Sequence, residues 1–286
     1  MNYQIITDTC CDLWPEFYEE LNLKVRSLAV NFQGQEIENY NQQWLESFYN
    51  GLRDGEKAQT AAVNPEGWKR VIEPVLAAGQ DALVLVFSSG LSTTYQSAVI
   101  AAQELQENYP QRHIRVVDTL CASMGQGLLA YYACKKRDGG MSLEELADWC
   151  ENTKKNLCHW FTVDDLMYLK RGGRVTAATA LMGTMLQIKP ILHVDNEGHL
   201  VKVGTARGRK ASMDALVKKL AETGLTGEND TVFISHGDCI EDARYLERKL
   251  KEECGVKEVV TNYIGAVIGS HSGPGTLALF FLGSER

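Results

Sequence analysis

The chain has 286 residues, 44% of them hydrophobic and 23% charged. That is an ordinary globular composition, long enough for one large core or two modest ones. A formal net charge of −8 argues against a general nucleic-acid binder, which carries a basic footprint. No apolar run reaches the roughly 18 residues of a bilayer span, and MNYQIITDTCCD at the start lacks the pattern of a secretory signal. The expectation is a cytoplasmic protein without stable membrane insertion, whose eight Cys are reduced thiols.

The first half repeats one theme: a short β-rich run, a small polar residue, then a helical pattern. YQIITDTCCDL, ALVLVFSSGLSTTYQSAVIAAQEL and HIRVVDTLCASMGQGLLAYYACKK are the three cases. Continuous apolar runs predict strands buried on both faces, and their alternation with helices predicts right-handed βαβ units around a parallel sheet. In GGMSLEELADW, Ser142 and Glu145 have the spacing of a capping box. A domain boundary is placed after that helix, between residues 155 and 161.

The second half has a different grammar. ILHVDNEGHLVKVG alternates on both sides of a polar turn at Asp195–Gly198 and predicts a β-hairpin. Further strand, turn and helix patterns follow, and the chain closes on GSHSGPGTLALFFLG, a polar loop ahead of what reads as an apolar helix. The fold expected is two α/β domains, residues 1–157 with a mostly parallel sheet and residues 158–286 with a mixed sheet containing the hairpin. The ligand site is expected between the two.

Ligands of open α/β sheets sit beyond the carboxyl ends of the strands. That edge is rich in hydroxyls and poor in Lys and Arg: Thr60, Ser88, Ser89, Ser92, Asp118, Ser235, Ser270 and His271 are among its residues. In SSGLSTTYQSA, Gly90 allows a tight turn and Ser92 stands where a helix begins, so free N–H groups and the helix dipole would face an anion. A serine there is equally an ordinary helix cap. Without a P-loop lysine, such a site suits a carboxylate better than a phosphate.

Other features are weaker. There is no CxxC pair, and His236 with Cys239 lacks a second pair of ligands, so no metal is expected. Ser92, His271 and Asp118 could be drawn as a triad, but GxSxG is absent. YLKRGGRVT and GTARGRKAS concentrate positive charge in glycine-rich turns. VTAATALMGTMLQIKPIL between them reads as a buried helix, or as one wall of an elongated apolar pocket.

As a set and in this order, IITDTCCDL, VFSSGLSTTYQSA, VVDTLCASMGQG, DDLMYLKRGGR, KPILHVDNEGHL, TARGRKAS and IGSHSGPGTLALFF resemble the DegV family of bacterial fatty-acid-binding proteins over essentially the whole chain. The resemblance implies a carrier of two α/β domains, not an enzyme, and no cofactor. It implies a long-chain fatty acid held by its carboxylate and presented to a separate kinase subunit, which makes an acyl phosphate for phospholipid synthesis. Carried to matching positions, the carboxylate site is Thr60, Ser92 and His271, with Ser89 and Ser270 as additional candidates. Arg171, Arg174 and Arg207 would serve the head group or the docking of the kinase. The chain departs from the family pattern at Ala61 and Val63, which stand for a Ser and a Pro, and at Thr93, which stands for a Gly. The alternative is a stand-alone hydrolase or phosphotransferase using the same sheet edge.

Overall fold

A computed structural model describes residues 2–176 and 187–286. Most of the helix expected between the two basic clusters lies outside the described residues.

The βαβ pattern of the first half builds a four-stranded, all-parallel sheet of order β2-β1-β6-β7. Its strands are β1 (Tyr3–Asp8), β2 (Leu23–Arg26), β6 (Asp81–Val86) and β7 (Ile114–Asp118). Alternate residues of the buried strands feed opposite faces. Ile6, Val84 and Val86 pack with Trp68 and Ile72 of α3 (Pro65–Ala77) and with Ala98 and Leu105 of α4 (Thr94–Asn108). Ile5, Leu83 and Leu85 face α5 (Met124–Asp138) and α6 (Leu143–Thr153). The capping box opens α6: Ser142 Oγ accepts from Glu145 N, and Ser142 N donates to the Glu145 carboxylate at 3.0 Å. Before α3 the chain adds an antiparallel three-stranded sheet, which the sequence reading did not anticipate: β3 (Ala29–Phe32), flanked by β4 (Gln35–Ile37) and β5 (Ala58–Ala61).

The second half forms a six-stranded mixed sheet of order β10-β9-β8-β13-β11-β12. These strands are β8 (Leu157–Thr162), β9 (Ile188–Val194), β10 (Leu200–Arg207), β11 (Thr231–His236), β12 (Glu258–Tyr263) and β13 (Leu277–Leu282). The expected hairpin is β9–β10, with Asp195 N donating to His199 O across its turn. Helices α8 (Arg209–Thr223) and α9 (Ile240–Cys254) cover the outer face through Leu216, Leu220, Leu246 and Leu250.

One expectation is corrected. The closing apolar run is a strand, β13, hydrogen-bonded antiparallel to β8 and β11. Leu277, Leu279 and Phe281 enter the core under α8 and α9, while Ala278, Phe280 and Leu282 enter the core shared with α5. A strand buried on both faces has no polar alternation, so six such residues carry no period that separates strand from helix. The helix precedes it instead: α10 (Ala266–Ser272) contains His271, and Gly273 leaves it at φ +80°.

Between the sheets lies α5, buried along nearly its whole length and in contact with both β1 and β13. None of the eight cysteines is disulfide-bonded, and six are buried. Burial raises the thiols of Cys10, Cys11 and Cys121 and makes them poor nucleophiles. Among the described residues, no helix is long and apolar enough to cross a membrane.

Candidate functional site

The loop after β6 is held from two sides. Ser88 Oγ donates to Gly198 O in the β9–β10 hairpin turn at 2.9 Å. Gly90 lies against the same turn, where a Cβ would sit 2.8 Å from Glu197 O and Gly198 O. At its far end the loop meets Thr94, a buried residue that sequence reading passed over. Thr94 Oγ1 accepts from Val63 N at 3.3 Å and lies 2.9 Å from Ser92 Oγ, while Thr94 N donates to Ser92 Oγ at 3.2 Å. When Thr94 gives its hydroxyl proton to Ser92, the Ser92 proton is left for a ligand. Thr93, where the family pattern has Gly, has φ −77° and ψ 1°, a backbone open to any residue.

Thr60, on β5, and His271, on α10, are 211 positions apart in sequence, and the fold sets Thr60 Oγ1 2.9 Å from His271 Nε2. Burial, helped by the charge of Arg174, depresses the His271 pKa to about 4, so the ring is neutral at pH 7. With the proton on Nε2 donated to Thr60 Oγ1, the threonine hydroxyl proton is free for an acceptor. Gly172 of RGGR seats the imidazole: a Cβ there would lie 2.3 Å from His271 Nδ1. Arg174 Nε donates to Leu91 O at 3.2 Å, and its Nη1 donates to Gly172 O.

Thr60, Ser92, His271, Arg174 and Ser89 all line one cavity of about 370 Å³, within the range of small-molecule sites. Much of its wall is apolar, with Leu28, Phe87, Phe161, Leu169, Val267 and Phe280 contributing. A neighbouring groove of about 610 Å³ shares Thr60, Arg174 and His271 with the cavity and adds Lys57, Arg171 and Ser270. Ser270 therefore lies on the groove wall, with its hydroxyl donated back to Ala266 O at 2.6 Å. Arg171 packs over the Tyr168 ring, 4.4 Å from its centroid. Arg207, exposed at the end of β10, is not part of the cavity wall.

Ser123 and Ser235 form a second polar region of the wall; both stand at strand ends in the sequence, but only the fold joins them to each other and to Asp12 behind them. Ser123 Oγ lies 2.5 Å from Asp12 Oδ2 and 2.9 Å from Ser235 Oγ, and Gly265 N donates to Asp12 Oδ1 at 3.0 Å. Burial raises the Asp12 pKa to about 7 against these hydrogen bonds. His159, also on the wall, bonds Leu157 O through Nδ1 at 3.0 Å and accepts from Ala122 N at 3.2 Å.

The drawn triad is not a hydrogen-bonded chain. Ser92 bonds Thr94, His271 bonds Thr60, and the Asp118 carboxylate accepts from Ser89 N and Leu120 N. Among the described residues, no group of three His, Cys, Asp or Glu is placed to hold a metal.

This is an α/β protein with a half-open, largely apolar cavity whose wall gathers neutral hydroxyls and two neutral imidazoles beside the positive charge of Arg174, a lining that suits a small amphiphilic ligand. The particular family is settled by comparison: a family model described as "Uncharacterised protein, DegV family" matches residues 2–284, and the chain belongs to the DegV family. A DegV domain-containing protein of Clostridium perfringens is 42% identical over 99% of this chain and 98% of its own. A solved structure described as fatty acid binding of a DegV family protein from Thermus thermophilus is 31% identical, with a TM-score of 0.88, covering 99% of this chain and 100% of that one. One from Thermotoga maritima, described as revealing fatty acid binding function, is 28% identical with a TM-score of 0.86, covering 99% of each.

Proposed function

We propose that this protein binds a long-chain fatty acid and presents its carboxylate to a separate kinase subunit, doing no covalent chemistry itself. The observation that carries the proposal is the Thr60–His271 pair, 2.9 Å apart, on the wall of a largely apolar cavity that also contains Ser92. A buried carboxylate without donors is very costly. The hydroxyl protons of Ser92 and Thr60, the latter freed by the neutral His271 ring, and the nearby charge of Arg174 supply what it needs. Each methylene removed from water then contributes about 0.8 kcal/mol.

The wall that cavity and groove share supports the presentation reading. A carboxylate at Thr60, His271 and Arg174 would lie at the boundary with a groove bordered by Lys57 and Arg171, a positive surface suited to an acidic partner or to ATP phosphates on a kinase. The site lies between residues 1–157 and 158–286, which we read as the two domains. A cytoplasmic setting accords with eight unpaired thiols.

The test begins with protein purified without added lipid, denatured and extracted for mass spectrometry. Long-chain fatty acid is expected in the extract, and acyl phosphate is expected once a fatty-acid kinase subunit and ATP are added. Ser92→Ala should lower fatty-acid affinity by about tenfold or more, the worth of one hydrogen bond to a charged group. Absence of lipid together with no uptake of added fatty acid would overturn the binding reading. Acyl-ester or nucleotide turnover without a partner, lost in Ser92→Ala, would favour the enzyme alternative.

A further inference from the structure

Ser272 follows His271 on α10, is 4% exposed and lines the cavity. Its hydroxyl has no hydrogen-bond partner among the described residues. A serine in a helix commonly returns its hydroxyl to the carbonyl four residues back, as Ser270 does, but Ser272 does not. Its own carbonyl is taken by Thr276 Oγ1 at 2.9 Å. A buried hydroxyl left unpaired is unusual and points to a partner supplied from the cavity.

The same wall offers a second opening. Ser123 has one hydroxyl proton, and the 2.5 Å contact directs it to Asp12. Ser235 Oγ lies 2.9 Å from Ser123 Oγ on the accepting side of their contact, so its own hydroxyl proton is not spent there. Ser235 pairs with Ala278 across β11 and β13, and both residues line the cavity. The wall thus presents a hydroxyl with an unspent proton at Ser235 and one that can both donate and accept at Ser272. A carboxylate only accepts, and an alkyl chain does neither. An alcohol does both.

We infer that the cavity takes long-chain fatty acids bearing a hydroxyl along the chain, with Ser272 as the residue that selects for it. The inference rests on the fatty-acid reading above and adds a substrate class to it. A hydroxylated chain is disfavoured in a purely apolar pocket, because its hydroxyl loses water and gains nothing. Here the loss is offset at one position along the chain.

The test is equilibrium binding of octadecanoic acid and of monohydroxylated octadecanoic acids, with the hydroxyl at successive carbons, to the parent protein and to Ser272→Ala. One positional isomer is expected to bind the parent protein at least as tightly as octadecanoic acid does. In Ser272→Ala the ratio of that isomer's affinity to that of octadecanoic acid should fall about fivefold. Ser235→Ala should lower the same ratio by less, and octadecanoic acid binding reports whether each variant has folded. If every isomer binds the parent protein far more weakly than octadecanoic acid, the inference is overturned and the fatty-acid reading stands. Equal weakening of both ligands in Ser272→Ala also overturns it, assigning Ser272 to the carboxylate or to the fold. Failure of octadecanoic acid to bind the parent protein overturns both readings.

Discussion

Two histidines line the cavity, and the backbone treats them in opposite ways. His159, on β8, is 2% exposed, and both of its ring nitrogens are bonded to the main chain, at Leu157 O and Ala122 N. Its ring meets Phe280 edge-on at 5.2 Å, and burial holds its pKa well below the usual imidazole range. It ties β8 to the start of α5 and has nothing left to offer. His271 meets a side chain, Thr60, and sits where cavity and groove adjoin. Each ring rests on a glycine whose Cβ would collide with it, Gly125 under His159 and Gly172 under His271. Two neutral imidazoles in one cavity, one buried and one half-buried, therefore have different uses, according to whether the main chain has taken their nitrogens.

The largest expected effect comes from His159→Ala. It removes a buried ring and strands an amide and a carbonyl, so it should cost about 3 kcal/mol of unfolding free energy, read by urea denaturation. His271→Ala should cost less than about 1 kcal/mol, for one side-chain hydrogen bond. Equal costs would break the distinction between the two rings.

Next comes Gly172→Ala. The added methyl would push His271 away from Thr60, and fatty-acid affinity should drop about tenfold, the consequence of losing about 1.4 kcal/mol of binding. Titration with a fluorescent fatty acid checks this. Unchanged affinity would mean that RGGR matters for its charges and not for seating the ring.

The last effect is on pH dependence. The folded-state pKa of His271, about 4, is depressed below its unfolded value near 6.5. Its contribution to stability is therefore present above pH 6.5 and is lost as pH falls toward 4. Asp12, raised to about 7, acts in the opposite sense, losing stability as pH rises from about 4 through 7, and His236, also depressed to about 4, adds to the acid loss. Comparing His271→Gln with the parent at each pH isolates the one group. Its stability should fall less steeply between pH 6.5 and 4, by at most about 1.4 kcal/mol per pH unit. An unchanged slope would place His271 in contact with water instead of in the protein interior.

Much of this architecture could be read locally. The capping box at Ser142 and Glu145, the hairpin around Asp195–His199 and the parallel βαβ order of the first half are written within a few residues or in simple periods. Ser92 was legible for the same reason, as a hydroxyl next to a helix start. Thr94 was not: its role depends on Val63 and Ser92 meeting at one atom. The β3–β4–β5 sheet was missed because its strands have only three or four residues, too few for a period to emerge.

The sequence by itself determined where strands and helices alternate, which hydroxyls stand at strand ends and, through its ordered motifs, the family. Only the tertiary structure decided that TLALFF is a central strand, that Ser272 and not Ser270 faces the cavity, and that Thr60 meets His271 across 211 residues. The physical reason is the range of the information. Helix caps and tight turns are satisfied by neighbours in the chain, whereas a ligand pocket is defined by atoms that become neighbours only when two sheets pack around one buried helix.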